Sequence, residues 1–84
     1  MAGLYMPFAL CVHPADNVAT LLEDSRPGPV ELLGLPQAAS IAAVEAISRG
    51  HKLALAPLAA GEAVVKFGVP IGHATAAIAA GAWV

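Results

Sequence analysis

Hydrophobic residues along this chain come in short runs separated by proline, glycine and polar turns, the spacing of a small β protein. The run at residues 8–12 stops at His13-Pro14, where proline lacks a ladder donor and holds the preceding residue extended. Val18, Leu21 and Leu22 fall at i, i+3 and i+4 behind Asp16 and Asn17, both good capping residues, which predicts one or two helical turns over residues 17–23. Arg26-Pro27-Gly28-Pro29 is a turn, and residues 30–33 form the next strand, closed by Gly34-Leu35-Pro36. Residues 37–48 are alanine-rich and favour helix by propensity, yet a strand is expected at 40–44 because a glycine-punctuated β pattern begins directly after it.

From Gly50 onward the alternation is cleaner. His51, Leu53 and Leu55 share one side of a strand and Lys52, Ala54 and Ala56 the other; Pro57 ends it. Ala63, Val65 and Phe67 alternate with Val64 and Lys66, Gly68-Val69-Pro70 turns the chain, and residues 71–76 and 82–84 give further strands. One unit recurs: an aliphatic residue, two spacers and a glycine, followed by an apolar run, as in Ile47 to Gly50, Leu58 to Gly61 and Ile78 to Gly81. A glycine closing a tight reversal supplies the positive φ that other residues avoid. The fold class expected is therefore mostly β, one domain over residues 1–84 with one short helix near the N-terminus. Its core should be anchored by Leu10, Leu53, Leu55, Phe67, Ile71 and Trp83.

Composition narrows the function. At 84 residues there is room for one small core, and 58% apolar residues exceed what such a core covers, so association with itself or a partner is expected. A formal charge of −2 without a basic cluster gives phosphate backbones nothing to hold, which argues against nucleic acid. The single Cys11 forms no internal disulfide and suits a reducing cytoplasm; in its apolar run it reads as a buried small hydrophobe. No membrane segment is expected. Residues 1–12 lack the basic start and small-residue cleavage site of a leader, and the uncharged stretch 67–84 is broken by glycines, Pro70 and His73.

Candidate chemistry lies in His13, His51, His73, Lys52 and Lys66. Histidine exchanges protons near neutral pH, and lysine holds a carboxylate as a point charge. His51 leads because it follows a glycine turn, where a side chain projects beyond a sheet edge; the plainer alternative is an edge-strand histidine beside Leu53. Lys52 is either a substrate contact or an edge lysine that blocks unwanted strand pairing. His13 and Asn17 sit between the strand end and the expected helix start, where free N–H groups favour anions; equally, Asp16 or Asn17 only caps the helix and His13 is a solvated turn residue. No pair of histidines has zinc-type spacing and no carboxylate cluster exists, so no tight metal site is expected.

In order along the chain, His13-Pro14-x-Asp16-Asn17-Val18-Ala19, Gly50-His51-Lys52, Gly61-Glu62, Val65-Lys66-Phe67-Gly68 and Ile71-Gly72-x-Ala74-Thr75 resemble the SAF (β-clip) domain of the altronate and galactarate dehydratase family. The resemblance implies a cytoplasmic small subunit or N-terminal domain of a lyase that dehydrates sugar acids. A divalent metal, iron or manganese, would sit on the partner large subunit. His51 would be the catalytic acid or base, with Lys52, His13 and Asn17 as substrate-binding residues. Family members continue past the position of Val84 with a histidine-rich strand. The small subunit of sulfolactate sulfo-lyase is similar too and is one alternative. A non-catalytic carbohydrate-binding SAF module is another, and an exported chaperone-like assembly module is a third.

Overall fold

The computed structural model describes residues 6–34 and 39–84, and among them every regular element is a strand. In chain order these are β1 Phe8–Leu10, β2 Val18–Leu21, β3 Gly28–Leu33, β4 Ala39–Ala43, β5 Lys52–Ala54, β6 Ala63–Lys66 and β7 Val69–His73. The first five form one sheet in the order β4-β3-β1-β2-β5, and β6 and β7 form a separate hairpin. β1 lies parallel to β3, with Ala9 opposite Leu32, and antiparallel to β2, with Ala9 opposite Leu21. The mostly-β expectation holds, as does the strand expected at 40–44, which is β4. Of the Gly34-Leu35-Pro36 closure and the alanine-rich stretch, residues 35–38 lie outside the described residues.

The short helix expected at 17–23 is absent: those residues are β2 and the bend after it. Burial on both faces is the reason. Ala19 and Leu21 enter one apolar cluster with Ala9, Cys11, Val30, Leu32, Ala43, Ile47 and Leu53, while Val18 enters a second with Ala54, Leu58, Val64 and Ala74. A strand walled on both sides reads as a contiguous apolar run, and Val-Ala-x-Leu satisfies that pattern as well as the helical one. β5, paired with β2 through Ala19 and Leu53, stands in the same wall, so Leu53 and Ala54 are both wholly buried. The one-sided alternation expected for that strand does not occur.

The expected anchors also need correction. Leu53 is fully buried, and Leu10 and Leu55 are half-buried, but Phe67, Ile71 and Trp83 are 47%, 51% and 55% exposed. Aliphatic side chains and alanines fill the core instead, in two clusters that draw on β2 and β5 from both sides.

The glycine units prove to be the organising device, and they come in pairs. Leu58 and Ile78 exchange two backbone hydrogen bonds of 2.8 Å. Ile47 is bridged in the same way to Ser25, whose hydroxyl also accepts from the Ile47 N–H at 3.1 Å. Ser25-Arg26-Pro27-Gly28 is thus a fourth unit, with serine in the aliphatic place and a glycine at φ 135°. In the other three units the glycine has φ between 81° and 85°, so a side chain there would be strained. Each of those glycines donates its N–H to a carbonyl across the fold: Gly50 to Leu21, Gly61 to Ala74 and Gly81 to Ala54.

Candidate functional site

Two groups of side chains stand at opposite ends of the β2–β5 ladder. At one end Leu55 donates to the carbonyl of Asn17; at the other Leu21 donates to the carbonyl of His51. Four residues of extended chain separate these ends, roughly 13 Å at the rise of a strand. The structure therefore does not gather His13, Asn17 and His51 into one constellation.

The first group is the His13-Pro14-x-Asp16-Asn17 turn. Its carboxylate and amide reach far along the chain to the β6–β7 hairpin. Asp16 Oδ1 accepts from the Gly68 N–H at 2.7 Å, and Oδ2 accepts from the His13 N–H at 3.2 Å. Asn17 mimics a strand neighbour for β6: Nδ2 donates to the Ala63 carbonyl and Oδ1 accepts from the Val65 N–H, both at 2.8 Å. These bonds flank the irregular register between Val64 and Val65, where β6 has lost regular pairing with β7. The His13 ring lies against Gly68, and its Nδ1 accepts from the Ala15 N–H at 3.0 Å, which leaves the ring proton on Nε2. No helix begins here, so the anion-favouring corner expected around His13 is not built.

The hairpin held in this way has a two-residue loop, since Lys66 pairs with Val69. Phe67 and Gly68 have φ of 55° and 76°, the two left-handed residues of a tight hairpin turn. The turn thus falls one residue earlier than the Gly68-Val69-Pro70 expected, and Pro70 lies within β7, where an edge strand tolerates it. Lys66 Nζ lies 5.1 Å from the centroid of the exposed Phe67 ring, and β7, including His73, is exposed throughout.

Cys11 lies beneath the turn, 2% exposed, with Sγ 3.9 Å from Asp16 Oδ2. Burial, and then the Asp16 carboxylate, push its thiol above the ordinary value. A thiol in that position is a packing residue, as its apolar run predicts.

The second group is at the far end. His51 is fixed through its backbone, donating to the Ser48 carbonyl at 3.1 Å and accepting from Leu21 at 2.8 Å, while its imidazole is exposed. The ring meets Trp83 edge to face, centroids 5.6 Å apart and planes at 85°. Trp83 is bridged to Leu53 and donates its N–H to Glu45 Oε2 at 3.0 Å. Ala46, Ile47, Ser48, His51 and Trp83 line a cleft of about 140 Å³. Lys52 follows His51 into β5, half-buried opposite Thr20. Sequence reasoning placed Trp83 in the core and so missed its neighbour. A signal was present, because Trp83 stands two places after its glycine, where the first unit has the polar Lys52.

Among the described residues, no three His, Cys, Asp or Glu side chains converge closely enough to hold a metal ion. Among the described residues the donors are thus not arranged as a metal cage, and the exposed His51 ring is suited to proton exchange or hydrogen bonding. Nor, among the described residues, is any helix long and apolar enough to cross a membrane.

A family model described as the altronate/galactarate dehydratase SAF domain matches residues 7–84. Over 70 residues the chain is 43% identical to altronate dehydratase of Escherichia coli (strain K12), a span of 83% of this chain and 14% of that protein. Altronate dehydratase of Bacillus subtilis (strain 168) is 38% identical over 71 residues, again 83% of this chain and 14% of the relative. Galactarate dehydratase (L-threo-forming) of Escherichia coli (strain K12) is 34% identical over 77 residues, 92% of this chain and 14% of the relative. The chain thus corresponds to about one-seventh of the length of these relatives, each matched over 14% of its own chain.

Proposed function

This chain belongs to the altronate/galactarate dehydratase SAF domain family, and from that membership we propose that it is the small subunit or N-terminal domain of a cytoplasmic lyase that dehydrates sugar acids. The observation that carries this reading is the family match across residues 7–84, together with relatives named for altronate and galactarate dehydration. Dehydration removes a proton beside a carboxylate and expels a β-hydroxyl, which calls for a base, an acid and stabilisation of an enediolate. A divalent metal, iron or manganese, belongs in this proposal to the large partner domain; among the described residues of this chain no three candidate ligands converge on one point.

His51 is the residue given to the chemistry. An exposed imidazole on a rigidly held backbone can exchange a proton with a substrate hydroxyl presented by the partner. Lys52 beside it is a point charge for a substrate carboxylate or a support for the interface. His13 and Asn17 stand at the other end of the ladder, and the Asn17 amide is engaged with β6. Their part in substrate binding is to hold the hairpin that flanks the partner, with the exposed His13 ring as the group left to touch a ligand.

Large apolar side chains exposed on and beside the hairpin (Phe67, Val69 and Ile71) are the surface through which the module pairs with the large domain or, alone, with itself. A strictly monomeric chain at high micromolar concentration would count against that pairing. The reading as a whole is tested by joining this chain to a large dehydratase domain stripped of its own SAF segment. Restored turnover of altronate or galactarate is expected, and an inactive but assembled pair would overturn the reading.

A further inference from the structure

The register of the five-stranded sheet sorts its residues onto two faces. Ala9, Leu21, Val30 and Leu32 point into the larger cluster. The other face carries a row of Leu33, Leu10, Thr20 and Lys52 and, next to it, a row of Ser40, Glu31 and Phe8. The β6–β7 hairpin covers this second face only around Val18 and Ala54, through Val64. Away from it, Phe8 and Leu33 are exposed, as is Met6 just before β1.

The tip of the hairpin is strained. Phe67 is the one residue other than glycine with a positive φ among the described residues. Asparagine, aspartate or glycine suits that position of a tight hairpin turn, and a bulky side chain does not. The ring joins neither apolar cluster, so burial within the chain does not offset the strain. The Asp16 carboxylate and the His13 ring brace Gly68 from below. A braced turn thus holds out an aromatic ring with the Lys66 ammonium beside it.

A recess of matching character lies at the far end of the same face. Met6, Glu31, Ala39 and Ser40 line a shallow cleft of about 280 Å³. The Glu31 carboxylate meets no hydrogen-bond or ion-pair partner among the described residues. Glu23, whose Oε1 accepts from the Phe8 N–H at 3.2 Å, adds a second negative charge at that end, against Arg26 in the adjoining cleft. The tip stands by His13, beyond the end of β1, and the recess by Met6, before its start. A two-fold axis through the middle of the face therefore sets each tip over the recess of the other copy, with the exposed Phe8 and Leu33 of both copies between them.

We propose that two copies of this chain pair through this face about a two-fold axis. Phe67 of each copy enters the Met6–Ala39 recess of the other, and Lys66 pairs with Glu31. The inference rests on the self-pairing contained in the reading above and gives it a surface; it does not draw on the lyase assignment.

Sedimentation of the full chain should show a monomer–dimer equilibrium with a midpoint of roughly 10–100 μM, suited to a small interface. Phe67→Asn, which puts a residue at ease in the left-handed region, should weaken the dimer by about thirty-fold or more while the unfolding midpoint stays level or rises. Lys66→Glu and Glu31→Lys should each weaken it by about ten-fold, since the pair occurs twice per dimer, and together they should restore it to within about three-fold. Trp83→Ala removes an exposed ring in register with Leu53 on the other face, and should leave the midpoint within about two-fold. A chain still monomeric at about 1 mM, or a dimer indifferent to Phe67→Asn, would overturn the proposal. So would loss of folding in Phe67→Asn, or a Phe67→Asn chain that dimerises normally yet no longer assembles with a large dehydratase domain, because the tip would then serve that domain. The two readings fail separately. A two-fold dimer with these sensitivities whose assembled enzyme dehydrates neither acid keeps the interface and loses the lyase assignment; restored turnover by a chain that never dimerises does the reverse.

Discussion

The imidazole of His13 lies so close to Gly68 that a β-carbon added there would stand 2.7 Å from His13 Cδ2. Two parts of the chain far apart in sequence are in contact at a point where only glycine fits, and Gly68 also has φ 76°. Gly68→Ala should therefore lose about 1–2 kcal/mol to the left-handed backbone and more to the clash. Combining it with His13→Ala should recover the clash component alone. Chemical denaturation of the four proteins in this cycle should give a coupling of about 1 kcal/mol or more, and simple additivity would show that the contact carries no energy.

Asn17 offers a second check on the same joint. Its amide satisfies one carbonyl and one N–H of β6 at a half-buried position. Asn17→Ala should leave both groups without their partner and cost about 1–3 kcal/mol. Asn17→Asp keeps the acceptor for Val65 but sets a carboxylate oxygen against the Ala63 carbonyl, so it should be no better than alanine. Hydrogen exchange at the Val65 amide should speed up in both variants before the rest of the sheet is affected.

How far this was legible beforehand depends on the range of each interaction. The strands, the turn glycines and the recurring aliphatic–glycine unit could be read locally, because strand alternation and positive φ leave marks on neighbouring residues. The fourth unit escaped because Ser25 replaces the aliphatic residue and adds hydroxyl bonds to Ile47 beside the backbone bridge. The helix at 17–23 was misread because β2 is buried on two faces, each belonging to a different cluster. For the site, the projection of His51 beyond a glycine turn could be anticipated. Its proximity to Trp83 could not, nor could the bonds from Asp16 and Asn17 to partners 46 to 52 residues away. Periodicity carries no information about contacts of that span.

Cys11 supplies a pH test. Its folded-state pKa is raised, first by burial and then by Asp16, while the unfolded thiol titrates at an ordinary value of about 8.5. The stability it contributes is fully present below that ordinary value and is lost as pH rises through the folded one, because only the unfolded chain gives up the proton easily. Stability measured by denaturant should fall above about pH 8.5 in the native chain and fall less in Cys11→Ala, once the lower baseline of that variant is allowed for. Alkylation by iodoacetamide at pH 8 should be slow in the folded chain and fast in denaturant. Rapid labelling of the folded protein would contradict the burial argument.

The account turns on whether His51 takes part in proton transfer. The most direct measurement is turnover of altronate or galactarate by the assembled enzyme carrying His51→Ala, with His73→Ala as the comparison on the exposed β7 strand. His51→Ala should lower kcat by roughly 10²–10⁴-fold, the usual worth of a positioned general acid or base, with the β circular dichroism spectrum and the unfolding midpoint little changed. His73→Ala should stay within a few-fold of the parent. Turnover within a few-fold of the parent for both variants would make this domain a scaffold, and loss of folding in His51→Ala would make His51 a structural residue; either result contradicts the catalytic assignment.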